Sequence, residues 1–237
     1  MAGFTFRPGL VPTLAVLTGV LILMKLGFWQ VRRYDEKQAR LVLAEARLAM
    51  PPVSLAEAMA QPEAHAWRRV VAKGVYIPDE TVLLLDRHDG QTGSRVLTPL
   101  QADGLPALAG QPQAILVDRG WVAYGVEERF LEEDHLGNKP VALTGSLILL
   151  MDEPAREGPV EKHRHQLAFN FSNLRAQMPF PLVPALLKRG DMDDDDTPEG
   201  AWAVPRMHVN HREYAWTWFL LAATLLVMYV GANLKRG

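Results

Sequence analysis

Apolar and polar positions alternate in three different rhythms along the chain, and each predicts a different element. Leu10–Trp29 reads LVPTLAVLTGVLILMKLGFW with Lys25 as its one charge, and Tyr214–Leu234 reads YAWTWFLLAATLLVMYVGANL with none. Each run reaches the ~20 residues that a helix needs to cross ~30 Å of hydrocarbon, so both predict membrane-spanning helices. Lys25 sits near the end of its run, where its long stem can carry the ammonium to headgroup level. A cleaved signal peptide is the rival reading of the first run, but the run is long for one and no small-x-small site follows it.

The second rhythm is helical but polar. QVRRYDEKQARLVLAEARLAM is rich in Ala, Leu, Glu and Arg, which predicts a helix continuing out of the first span until Pro51 and Pro52 stop it. Ser54 with Glu57 has capping-box spacing and opens a short helix, SLAEAMAQ. From Trp67 the rhythm changes to short runs rich in Val, Leu and aromatic residues between Gly, Pro and Asp: WRRVVAKGVYI, TVLLLD, RVLTPLQ, AILVDRGWVA and VALTGSLILL. These predict antiparallel strands of a β barrel or sandwich. Residues 151–200 are less regular; PFPLVP marks a strand or helix start, and DMDDDDTPEG reads as an exposed loop of mutually repelling carboxylates.

The expected architecture is therefore an α+β membrane protein, two transmembrane helices flanking an external antiparallel β domain with short helices. Its divisions are a cytoplasmic N-terminus (1–9), transmembrane helix 1 (10–29), a helical connector (30–66), the external β domain (67–210), transmembrane helix 2 (211–234) and a cytoplasmic C-terminus (235–237). Flanking charges leave orientation ambiguous, since Arg32, Arg33, Lys37 and Arg40 lie on the loop side of the first helix and Arg7, Lys235 and Arg236 on the side of the termini. Long loops translocate with little regard to such charges, which favours cytoplasmic termini. The short N-terminal segment without an Arg- and Ser-rich presequence points to a bacterial plasma membrane, with a periplasmic central domain, ahead of the inner mitochondrial membrane.

Composition narrows the chemistry. The absence of cysteine excludes disulfides, thiolate metal sites and cysteine nucleophiles, and a net charge of -2 argues against a nucleic-acid partner. No hydrolase elbow, phosphate-binding glycine loop or paired zinc-binding histidine motif is present, which weakens an enzymatic reading. His163 and His165 would give copper only two imidazoles, and the aspartates between 191 and 196 lack the glycine and distal glutamate of a calcium loop, so both read as solvated surface. Arg119 and Trp121 stand two apart in a predicted strand and are expected to share a face, as a cation over an indole or a packed core Trp.

VNHREYAWTWF, at the start of the second span, is more informative. On a helix, positions 211, 214 and 218 fall at about 0°, 300° and 340°, so His211, Tyr214 and Trp218 share a face. Neutral imidazole is a common axial ligand of haem iron, and aromatic faces can cover a macrocycle. The same residues also describe an interfacial aromatic belt with a wetted histidine. Arg32, Arg33, Arg206 and Arg212 lie at that membrane face, suited to haem propionates or equally to lipid phosphates.

Several strings together resemble the surfeit-locus assembly factors for cytochrome c oxidase. LGFWQVRRYDEK is similar to the family pattern at Trp29, Gln30, Arg33 and Lys37; RRVVAKGVY, GSRVLTPL and LVDRGWV match at Arg69, Gly74, Thr98, Pro99, Leu100, Arg119, Gly120 and Trp121. NHREYAWTWFLLA matches at Asn210, His211, Tyr214, Ala215, Trp218 and Phe219. Asp118 departs from the usual Asn and Ala123 from the common Pro. The resemblance implies a membrane chaperone of respiratory-chain biogenesis, not an enzyme, that holds haem a transiently and presents it to the haem-containing oxidase subunit. Its partners would be that subunit, other oxidase assembly factors and the lipid bilayer. The residues implied are His211 as ligand to the haem iron, Trp218 and Tyr214 as its wall, and Arg212 and Arg33 beside it. The alternative is a ligand-free scaffold that stabilises an oxidase assembly intermediate.

Overall fold

In the computed structural model, which describes residues 4–6, 8–133, 139–151, 154, 163–190 and 211–236, the side chains of Phe4, Thr5, His211, Lys235 and Arg236 are outside the description. The chain runs β1 (Phe4–Phe6), α1 (Leu10–Ala49), β2 (Val53–Ser54), α2 (Leu55–Ala60), α3 (Pro62–His65), β3 (Arg69–Tyr76), β4 (Val82–His88), β5 (Gln91–Ala102) and β6 (Ala114–Ala123). It continues with α4 (Glu127–Glu133), β7 (Val141–Leu149), β8 (His165–Gln166), α5 (Phe171–Gln177), β9 (Leu182–Arg189), α6 (His211–Asn233) and β10 (Leu234–Arg236). The DMDDDDTPEG stretch and Arg206 lie outside the described residues.

Two compact units result, one from residues 1–43 with 205–237 and one from 44–204. In the first, the apolar run and the Ala-rich run after it form the single helix α1, because its one proline, Pro12, falls in the first turn where no intrahelical N–H is needed. α6 packs antiparallel on α1: the Thr13 and Tyr229 hydroxyls bond, Gly19 faces Leu225, and Phe28 meets Phe219 edge-on with centroids 5.4 Å apart. A Cβ on Gly27 would come within 2.4 Å of the Phe219 ring, so only glycine admits that ring. Beyond the helices β1 pairs antiparallel with β10. Away from the seam Leu14, Leu17, Leu21, Leu220, Val227 and Met228 are exposed, and each helix is long and apolar enough to cross a bilayer, which fits membrane association.

In the second unit α1 stops ahead of Pro51, and Arg47 Nη1 donates to the carbonyls of Glu63 and Ala66, each at 3.1 Å. The expected cap forms, with Ser54 Oγ accepting from Glu57 N at 3.2 Å. The short apolar runs become a closed barrel, β3-β7-β9-β6-β5 and back to β3, extended past β5 by β4 and β8 and beside β3 by β2. Within the closed circuit the pairs are antiparallel as expected except β6–β9, which is parallel, as β9 enters between β6 and β7 after the excursion through β8 and α5; the short β2 and β8 also pair parallel, with β3 and β4. Val70, Leu100, Ile115, Val117, Leu147 and Leu187 fill one core; Leu97, Leu116, Leu182 and Phe171 and Leu174 of α5 fill another. β6 is therefore buried on both sides, which accounts for its unbroken apolar start.

Closure depends on Gly74. Arg69–Gly74 pairs with β7 while Gly74–Tyr76 pairs with β5, and a Cβ on Gly74 would lie 2.2 Å from the Gln101 carbonyl oxygen. Gly74→Ala is expected to cost about 2 kcal/mol through the forced separation of β3 and β5. A urea midpoint equal to that of the wild type would show that the seam tolerates a side chain.

Candidate functional site

The residues singled out at the membrane end all belong to the helix-pair unit. His211 is the first residue of α6. At about 100° per residue its backbone position heads the row that continues through Ala215, Trp218, Ala222 and Tyr229. Ala215 and Ala222 are 3 % and 2 % exposed, so this row faces α1. Trp218 is half-buried along it, whereas Tyr214, at its edge, is 55 % exposed and Arg212 is exposed. The fit of Phe28 against Phe219 fixes the level of the opposing helix. Five residues on from Phe28 and five back from Phe219, Arg33 of α1 stands level with Tyr214 of the antiparallel α6, about 7.5 Å beyond the Phe pair.

Arg33 is ordered from its own helix. Its Nη1 lies 3.2 Å from Glu36 Oε2, and its Cζ lies 5.9 Å from the centroid of the Trp29 ring. Trp29, 41 % exposed, is a site residue that the sequence reading leaves inside a motif; its place four residues before Arg33 is the signal that would find it. The helix-pair end thus carries aromatic rings (Trp29, Tyr214, Trp216, Trp218) within two turns of cations (Arg32, Arg33, Arg212).

A second polar cluster lies inside the barrel unit. Arg95 of β5 donates from Nε to Asp86 Oδ2 at 2.8 Å and from Nη1 to Asp118 Oδ2 at 2.7 Å. Asp118 is 4 % exposed and also accepts from Gly120 N at 3.1 Å. Burial pushes its carboxyl above the ordinary 3.8, outweighing the pull of Arg95, the Gly120 N–H and Lys188. Lys188 of β9 is pushed down from 10.5, first by burial and then by Arg95, against the pull of Asp118 and Asp86.

A carboxyl with a raised folded-state pKa favours folding below the unfolded value and loses that contribution as pH rises through the folded value. Asp118→Asn removes this contribution. The variant is expected to show a flatter fall of stability with rising pH above 3.8. Parallel pH profiles of wild type and variant in urea unfolding would contradict that assignment.

Arg119 and Trp121 do not share a face, contrary to the strand expectation. A bulge between the pairs Arg95↔Trp121 and Leu97↔Asp118, with Gly120 at φ 119°, sets one extra residue into β6 and turns Trp121 to the side of Asp118. The Arg119 guanidinium instead lies over Tyr76 and Phe130, 5.5 and 5.6 Å from their centroids, while Trp121 packs 5.7 Å from His88. His165 approaches Glu128 at 3.8 Å, and among the described residues no three metal-type side chains converge. The barrel cluster is thus a charge network built into the wall, whereas the helix-pair end is a set of partly exposed aromatics and cations.

The sequence model of the SURF1 family matches residues 17–223. A SURF1-like protein of Rickettsia bellii is 27% identical over 234 residues, covering 91% of this chain and 88% of its own length. One of Rickettsia felis is 26% identical over 235 residues, covering 92% and 94%. A SURF1-like protein of Dictyostelium discoideum is 33% identical over 114 residues, covering 44% and 39%.

Proposed function

The chain belongs to the SURF1 family, known as oxidase assembly factors, and from that premise we propose that it holds haem a transiently and presents it to the haem-containing subunit of cytochrome c oxidase. The observation that carries the reading is the α6 row, with His211 at its head, Trp218 nearly two turns on, and Arg33 of α1 level with its first turns. The donor set suits the cargo. An imidazole binds haem iron, aromatic faces cover the macrocycle, and Arg33 and Arg212 offer guanidinium forks to two propionates.

No bond in the cargo has to be made or broken, so the chain acts as a chaperone and not as an enzyme. His211 would hold the haem iron through a single imidazole, a loose ligation that would allow the haem to pass on to the receiving subunit. In this reading the two helices span a bacterial plasma membrane with both termini cytoplasmic, and the barrel stands in the periplasm, where it meets the oxidase subunit and other assembly factors.

The reading is tested on full-length protein purified in detergent from cells that make haem a. A Soret band that shifts in Trp218→Leu is the expected result. Protein without a Soret band that still co-purifies with the oxidase subunit would support instead a ligand-free scaffold.

A further inference from the structure

Lys25, Trp29 and Arg33 follow at four-residue intervals on α1 and stand one above another along one flank. All three are exposed. Gly27, pressed against Phe219, lies two residues from both Lys25 and Trp29, a step of about 200°, so this flank points away from α6. The surface is thus distinct from the α6 row and borders it only at Arg33.

Two features separate this flank from an ordinary basic collar. Trp29 fixes interfacial depth, and Lys25 lies about 6 Å inside it, where an ammonium without a counter-ion is costly. Among the described residues Lys25 has no hydrogen bond or ion pair. Arg33 is the opposite case, held over the Trp29 ring and tethered to Glu36. The Lys25 stem is long enough to bring its ammonium to headgroup level, and the Arg33 guanidinium lies over the Trp29 ring, so the indole stands between two cations along the flank.

We propose that this flank of α1 binds the headgroup of an anionic phospholipid. The phosphate accepts from Lys25 Nζ, with Arg33 adding attraction from the rim that it shares with the α6 row; the indole of Trp29 packs on the glycerol region, and the acyl chains follow the exposed Leu21, Ile22 and Leu14 side of the helix. The phosphate supplies the counter-ion that the chain itself does not give Lys25. Lys37, one turn beyond Arg33, adds attraction for a second negative charge.

The test is native mass spectrometry of the full chain from micelles holding equal phosphatidylglycerol and phosphatidylcholine. Wild type and Lys25→Arg should retain phosphatidylglycerol preferentially, and Lys25→Gln should lower that preference about fivefold. His211→Ala should leave it unchanged, so that loss of haem and loss of lipid are read separately. Equal retention of the two lipids by the wild type, or an unaltered preference in Lys25→Gln with its helical circular dichroism intact, would overturn the site and reduce Lys25 to a side chain wetted by bulk headgroups.

Discussion

Arg95→Met is expected to lower the stability of the β domain by about 3 kcal/mol, and Asp118→Asn in the same chain to restore most of it. Arg95 is the direct ion-pair partner of both Asp118 and Asp86. Asp86 is a third exposed, so water replaces the guanidinium there. Asp118 is walled in by β5 and β9, and without Arg95 it keeps the Gly120 N–H and a Lys188 whose own charge is disfavoured by burial. Removing one member of a buried pair costs about 3–5 kcal/mol, because it leaves a charge uncompensated.

Protonation sets a ceiling on this loss. A carboxyl of ordinary pKa 3.8 can be neutralised at pH 7 for about 4 kcal/mol, at about 1.4 kcal/mol per pH unit, so a larger penalty is relieved by uptake of a proton. The amide of Asn needs no counter-ion and can still accept from Gly120 N, which is why the double variant recovers. A loss below about 1 kcal/mol in Arg95→Met, or a double variant no more stable than the single one, would contradict the account.

This pair was not legible in the sequence. Arg95 and Asp118 are 23 positions apart, and each looks like a solvated charge in an alternating strand until β5 and β6 are set in register. What was legible depended on local rules. The two spans, the stop at Pro51, the Ser54 cap and the β6 run Ala114–Ala123 all follow from apolar length, proline geometry or turn residues. β9 was visible only as a possible start. Pro184 argues against a central strand, yet it falls where the β6–β9 register shifts between Ala114 and Leu116, and the irregularity accommodates it.

The opposite faces of Arg119 and Trp121 escaped for the same reason, since alternation cannot foresee a bulge at Gly120. At the helix-pair end, the 3.6-residue period was enough to align His211 with Trp218. The level of Arg33 and the role of Trp29 needed the packing of Phe28 on Phe219, which no single-helix period contains.

His211→Ala has the largest expected effect on function. In the proposed reading the imidazole is the donor that would bind iron, whereas Tyr214 and Trp218 would offer apolar surface and Arg33 and Arg212 charge. Loss of outer-shell partners alone weakens metal sites by 10-fold or more, so loss of the ligand should lower haem occupancy by at least about tenfold. The substitution is mild for the fold: alanine is the best helix former, and the position is the first of α6, outside the barrel unit. Barrel stability should therefore stay at the wild-type value.

The most direct measurement is the absorption spectrum of the detergent-purified full chain, made in cells that synthesise haem a, beside that of His211→Ala. A Soret band present in the wild type and lost in the variant, with equal circular dichroism, is the result predicted for a haem-presenting chaperone that uses His211 as ligand. Equal haem content in the two proteins would contradict that assignment.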